Sequence, residues 1–128
     1  MLKIFVGFDE RQRASFTTLA TSIFETATRP VSVSPLVLRT LPITRRGLTP
    51  FTFSRFLVPW LCEFRGAAIF MDADMLLASD ITELEQFINE QEAVSVVRSL
   101  EPYEQTSFML WNCAHPSHRK LIPEFIEQ

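Results

Sequence analysis

The first eight positions form an apolar run, Leu2, Ile4, Phe5, Val6 and Phe8, broken only by Lys3 and Gly7. That pattern predicts a strand over residues 2–8, buried on both faces of a mostly parallel sheet, with Asp9 at its carboxyl end. From Glu10 the period changes. Phe16, Leu19, Ala20, Ile23, Phe24 and Ala27 recur at three- and four-residue steps while Arg11, Arg13, Thr17 and Thr21 take other faces, as in an amphipathic helix, and Pro30 closes it. Residues 31–38 read as a second strand in which Pro35 marks an edge or a bulge. Residues 39–48 hold Pro42, Thr44, Arg45, Arg46 and Gly47 without a period, which predicts a basic loop placed to lie over a ligand.

Thr49-Pro50 pairs a capping hydroxyl with a proline suited to the first helical position, so a helix is expected from there to Phe64, kinked or split at Pro59. Gly66 ends it. Residues 67–71 then form an interior strand leading straight into Asp72. Residues 81–88 read as helical, residues 93–97 and 107–112 as strands, and Pro116-Ser117 opens a last helix through Leu121, Ile122, Phe125 and Ile126. Alternation of this kind implies an α/β layer with ligands at the carboxyl edge of the sheet. No internal repeat or low-complexity segment interrupts it.

Composition narrows the class. With 128 residues and no dividing Gly/Ser or charged tract, the chain is expected to be one domain over 1–128, and its twelve phenylalanines supply core bulk. A net charge of -3 gives no general attraction to a polyanion, so nucleic acid is not an expected partner. Cys62 and Cys113 lie far apart in sequence with no metal-ligand spacing, and are expected as reduced thiols in a cytoplasmic protein. The apolar N-terminal run is too short for a signal segment, and Arg55, Glu63 and Arg65 interrupt the most hydrophobic region before it reaches the ~20 residues of a transmembrane span. Self-association is left open.

Asp72-Ala73-Asp74 carries the most specific chemistry. Two carboxylates one residue apart at the end of a buried strand can converge on one hard cation such as manganese or magnesium. A cation held there and touching a diphosphate neutralises charge as the diphosphate leaves. Turn residues often have this appearance. The flanking Ala-Ala-Ile-Phe-Met and Met75-Leu76-Leu77, however, predict apolar surroundings in which an unpaired charge is expensive, and that favours metal binding.

The string Phe53-Ser54-Arg55-Phe56-Leu57-Val58-Pro59-Trp60-Leu61, followed by Ala68-Ile69-Phe70-Met71-Asp72-Ala73-Asp74-Met75-Leu76 and by Ser79-Asp80-Ile81-Thr82-Glu83-Leu84, resembles glycosyltransferase family eight. That family includes glycogenin and bacterial lipooligosaccharide galactosyltransferases. Ile4-Phe5-Val6-Gly7-Phe8-Asp9 and Ser107-Phe108-Met109-Leu110-Trp111-Asn112 extend the resemblance over nearly the whole chain. It implies a Rossmann-like GT-A sheet and a metal-dependent hexosyltransferase, retaining the anomeric configuration. The donor would be a nucleotide-diphosphate sugar linked to UDP, and the acceptor a glycan, a lipid-linked group or a protein. It further implies that Asp9 approaches the uracil or ribose, Arg55 the diphosphate or donor sugar, and Ala73 the donor between its neighbours, with Asp72 and Asp74 on the manganese.

Two family segments, D-Q-D-x-L-N and a C-terminal H-x-x-G-x-x-K-P-W whose histidine completes the metal shell, have no counterpart before Gln128. The chain is therefore expected to be a fragment or a minimal form, and a non-catalytic binding module is the alternative. His115 and His118 precede a helix and are expected to face solvent or cap it rather than bind metal. The family's Asn-x-Gly is replaced by Thr106-Ser107-Phe108, where a close backbone approach allowed by glycine is lost. Asp9-Glu10, Asp72, Ser99 and Lys120 also resemble the acids and lysine of a phosphoacceptor receiver domain, a weaker alternative that leaves Arg55 and Asp74 without a role.

Overall fold

A computed structural model describes residues 1–97 and 105–128. Among the described residues five strands, β1 (Leu2–Gly7), β2 (Val31–Leu36), β3 (Ala67–Met71), β4 (Val94–Val97) and β5 (Gln105–Asn112), form one sheet in the order β2-β1-β3-β5-β4. β1 pairs in parallel with β2 and β3, whereas β5 runs antiparallel to both β3 and β4. Four of the five strands thus share one direction, and β5 alone is reversed. The sheet is mostly parallel, as expected.

Period-two alternation sorts the core onto two faces. Ile4 pairs with Ile69 and Ile69 with Leu110, and these three point to one side together with Leu2, Val6 and Met71. There they meet Leu19 and Ile23 of α1 (Arg13–Thr26). Each such side chain contributes about 1.5–3 kcal/mol when fully buried. Ala68, Phe70, Met109 and Trp111 face the other side, against Val58 and Cys62. Phe24, expected on the buried stripe of α1, is exposed, because the core needs only the Leu19–Ile23 side. Pro35 is tolerated because β2 is an edge strand with β1 as its partner.

Three helices differ from expectation. Residues 49–53 form turns, Ser54–Leu57 is a 3-10 helix, and α2 is only Val58–Leu61. Pro50 starts no helix. Pro59, lacking an N–H, instead falls within the first turn of α2, where none is needed. Ile81–Phe87 is likewise a 3-10 helix. The final segment breaks into a 3-10 helix at Pro116–Lys120 and α3 at Pro123–Glu127, with Pro123 opening the second piece.

The two cysteines are not apart in space. Both are buried free cysteines in the same core cluster under α2. His118 is buried rather than facing solvent: its Nε2 lies 2.7 Å from the Ala93 carbonyl oxygen and its ring packs edge-on to Trp111 at 5.0 Å. His115 caps the Pro116–Lys120 turn by accepting from the Ser117 amide.

Candidate functional site

The carboxyl ends of β1 and β3 are neighbours, since Val6 pairs with Met71. Asp9 and Asp72 therefore leave the same edge of the sheet, and their surroundings differ. Asp9 caps a 3-10 turn at Glu10–Gln12 and accepts from the Arg11 amide at 3.0 Å. The Arg11 guanidinium also donates to both Asp9 oxygens, at 3.1 and 2.9 Å. This Arg11 contact holds the Asp9 carboxyl below the usual carboxylate range.

Asp72 has no such partner. Its amide donates to the Ser107 carbonyl at 2.8 Å, which extends the β3–β5 ladder by one residue. Its Oδ1 is buried and accepts no hydrogen bond from the described residues; the Arg55 Nη2 lies 3.5 Å away, close enough to attract. Burial pushes the Asp72 carboxyl up, Arg55 pulls it back, and Asp74 adds a further push. Asp74 itself is exposed. The expectation that apolar neighbours enclose both acids is met for Asp72 alone, because the chain turns outward after Ala73, which packs on the core cluster of α1.

Arg55 is 8% exposed. Its Nε donates to the carbonyls of Phe51 and Thr52, both at 3.2 Å, and its Nη1 to the Thr106 carbonyl at 2.6 Å and hydroxyl at 3.2 Å. The guanidinium centre lies 4.8 Å from the centre of the Phe70 ring. Arg55 thus ties the start of β5 to the end of β3 and sets a fixed positive charge beside Asp72. Phe51 is itself wedged against β1: a Cβ on Gly7 would stand 2.5 Å from its ring.

Asp80, expected in family order with these residues, does structural work. It caps Ile81–Phe87 by accepting from the Thr82 amide at 2.9 Å and hydroxyl at 2.6 Å, and it accepts from the Thr28 hydroxyl. Those bonds lower its carboxyl to about 2. Lys120 lies in the Pro116–Lys120 turn rather than after a strand, and the reversed β5 departs from the all-parallel order of receiver domains. Ser99 lies outside the described residues.

A pocket of about 540 Å³ opens at this edge between Phe8 and Asp9 after β1, Val37 and Leu38 after β2, and the loop running from Leu41 to Pro50. The basic loop does lie over a cavity. A smaller groove of about 270 Å³ runs between Asp74 and the first turns of α1. Among the described residues no three His, Cys, Asp or Glu side chains converge on a metal-sized centre. A two-carboxylate site remains chemically suitable, since the Asp72 oxygen has an unused acceptor position and magnesium-type ions complete their shell with water and phosphate.

Comparison with known structures defines the architecture. The chain superposes on the WbbM bifunctional glycosyltransferase with a TM-score of 0.69 and 15% identity, covering 88% of this chain and 31% of that one. With mouse xyloside xylosyltransferase 1 the TM-score is 0.65 at 12% identity, covering 99% of this chain and 73% of that one. GlyE from Streptococcus pneumoniae matches with 0.63 at 14% identity, over 88% of this chain and 34% of that one. The fold is therefore the Rossmann-like α/β fold of GT-A glycosyltransferases. In sequence the chain is similar to Protein CDI of Arabidopsis thaliana, 32% identical over 151 aligned positions that cover 97% of this chain. It spans 58% of the length of that relative. No protein-family model matches the chain.

Proposed function

We propose that residues 1–128 form the donor-binding domain of a metal-dependent glycosyltransferase of the family-eight kind, which transfers a hexose from a UDP-linked sugar. The observation that carries this reading is the Asp72 carboxylate: half-buried at the end of a central strand, it keeps an oxygen free of any hydrogen bond from the described residues and has a second acid two residues on. Such an oxygen costs stability unless a ligand uses it. The GT-A fold of the solved glycosyltransferases supports the same assignment.

In this reading Asp72 and Asp74 hold manganese or magnesium, which when bound offsets the negative charge of the departing diphosphate. Arg55 keeps Asp72 ionised and oriented. Phe8, Asp9 and the loop from Leu41 to Pro50 receive the nucleoside. Retention of configuration rests on the family resemblance and is checked by proton NMR of the first-formed product, where an inverted anomer would refute it. No helix among the described residues is long and apolar enough to cross a membrane. A cytoplasmic location with reduced thiols belongs to the same proposal, and alkylation of Cys62 and Cys113 in freshly lysed cells tests it.

Calorimetric titration of UDP in the presence and absence of manganese tests the central claim. Binding should require the metal and be lost in Asp74→Ala. Binding that ignores both metal and substitution would remove the two acids from the site. The absence of a third metal-binding side chain among the described residues favours one further reading, a binding module without catalysis. Metal-dependent UDP binding with no turnover of any UDP-sugar would select it.

A further inference from the structure

The pocket between β1, β2 and the loop after β2 carries five charged side chains: Asp9, Glu10, Arg11, Arg39 and Arg46. Four of them neutralise one another. Arg11 is held by Asp9 at 2.9 Å, and the Arg39 Nε lies 2.9 Å from Glu10 Oε1. Arg46 makes no hydrogen bond or ion pair with the described residues, so one positive charge is left over on the lining of a concave space, near enough to Asp9 to act on it through its field.

The backbone that carries Arg46 is anchored. Glu127 at the end of α3 accepts from the Thr44 amide at 3.0 and 2.8 Å, from the Thr44 hydroxyl and from the Arg45 amide at 3.3 Å. Arg45 turns the other way, stacks on Phe53 at 3.8 Å and donates to the Ile126 carbonyl at 3.2 Å. Gly47 follows at φ +69, in the left-handed region, where a Cβ would also stand 2.6 Å from the Thr52 methyl. Adjacent arginines are thereby divided, one spent on the fold and one free. Ordering a loop before binding lowers what the ligand must later organise.

We propose that Arg46 is the phosphate-recognising cation of this pocket, so that the site selects a nucleoside carrying phosphate over the bare nucleoside through a contact separate from the metal at Asp72 and Asp74. The proposal rests on the nucleotide reading above and adds a residue to it. A charge-assisted bond from guanidinium to phosphate oxygen corresponds to about a tenfold change in affinity.

The test uses the whole chain in manganese buffer, titrated with UDP, uridine and inorganic pyrophosphate, as wild type and as Arg46→Gln and Arg46→Lys. Arg46→Gln should bind UDP about tenfold more weakly, leave uridine unchanged and leave the unliganded melting temperature unchanged. Arg46→Lys should recover part of the loss by restoring charge without the planar fork. Equal UDP affinity in wild type and Arg46→Gln overturns the proposal, as does an equal loss for UDP and uridine. If wild type binds pyrophosphate but not UDP, the nucleotide reading falls; a loss of pyrophosphate binding in Arg46→Gln then still supports Arg46 as the phosphate contact, and no loss refutes it.

Discussion

Asp9 and Asp72 leave neighbouring parallel strands at the same edge of the sheet, yet one is fully engaged by its own chain and the other is not. Asp9 receives three donors from Arg11. Asp72 faces a buried arginine whose remaining donors are committed elsewhere, and one of its oxygens accepts nothing from the described residues. An acid that the fold satisfies stabilises the fold; an acid that the fold confines without satisfying costs stability, and in the proposed function that acid serves a ligand. The contrast is visible in the opposite directions of their pKa shifts, Asp9 lowered by Arg11 and Asp72 raised by burial.

The most disruptive way to break the contrast is Arg55→Met. It removes the charge beside Asp72 and leaves the Phe51, Thr52 and Thr106 carbonyls without their donor, which should cost about 3 kcal/mol of folding stability, read from the urea midpoint. A midpoint equal to wild type would show that Arg55 is not the tie between β3 and β5.

Next come Asp72→Asn and Asp9→Asn, which should move in opposite directions. The raised pKa of Asp72 means that the native state binds its proton more tightly than the unfolded chain does, so wild type loses stability as pH rises through that value. Asp72→Asn, neutral throughout, should abolish manganese-dependent UDP binding while raising the melting temperature at pH 7 by a few degrees at most. Asp9 is lowered, so its charged form supports the native state above the unfolded value and is lost on acidification. Asp9→Asn should therefore melt lower at pH 7, and matching shifts in the two variants would erase the distinction.

The smallest effect lies outside the site. Asp80, lowered to about 2 from 3.8, contributes stability that is complete above pH 3.8 and disappears as pH falls toward 2. An acid titration followed by far-UV circular dichroism should show Asp80→Asn unfolding with a shallower pH dependence in that window alone.

How much of this was legible in sequence follows from the range of each interaction. β1 and β3 were readable because continuous apolar runs identify strands covered on both faces, and Asp72 and Asp74 because one strand end places them. The segment from Thr49 to Phe64 was misread because Thr-Pro is a sound helix opening taken alone, whereas its aromatic side chains fill space on several faces and no stripe sustains a long helix. Arg55 was found, but not its destination, since Thr106 is 51 positions away. The division between Arg45 and Arg46 was invisible for the same reason: Glu127 acts across 83 positions. His118 carried a usable signal, an imidazole downstream of an aromatic strand, which alternation in β5 directs at Trp111.

Gly7 gives the site a mutational fragility that none of its acids would reveal. The space beyond its Cα is filled by the Phe51 ring, the Phe51 carbonyl receives Arg55, and Arg55 stands beside Asp72. One added methyl group on the first strand would act through Phe51 and Arg55 on a carboxylate at the end of another. Under selection for the site alone, a residue that touches no ligand would be among the least free to drift.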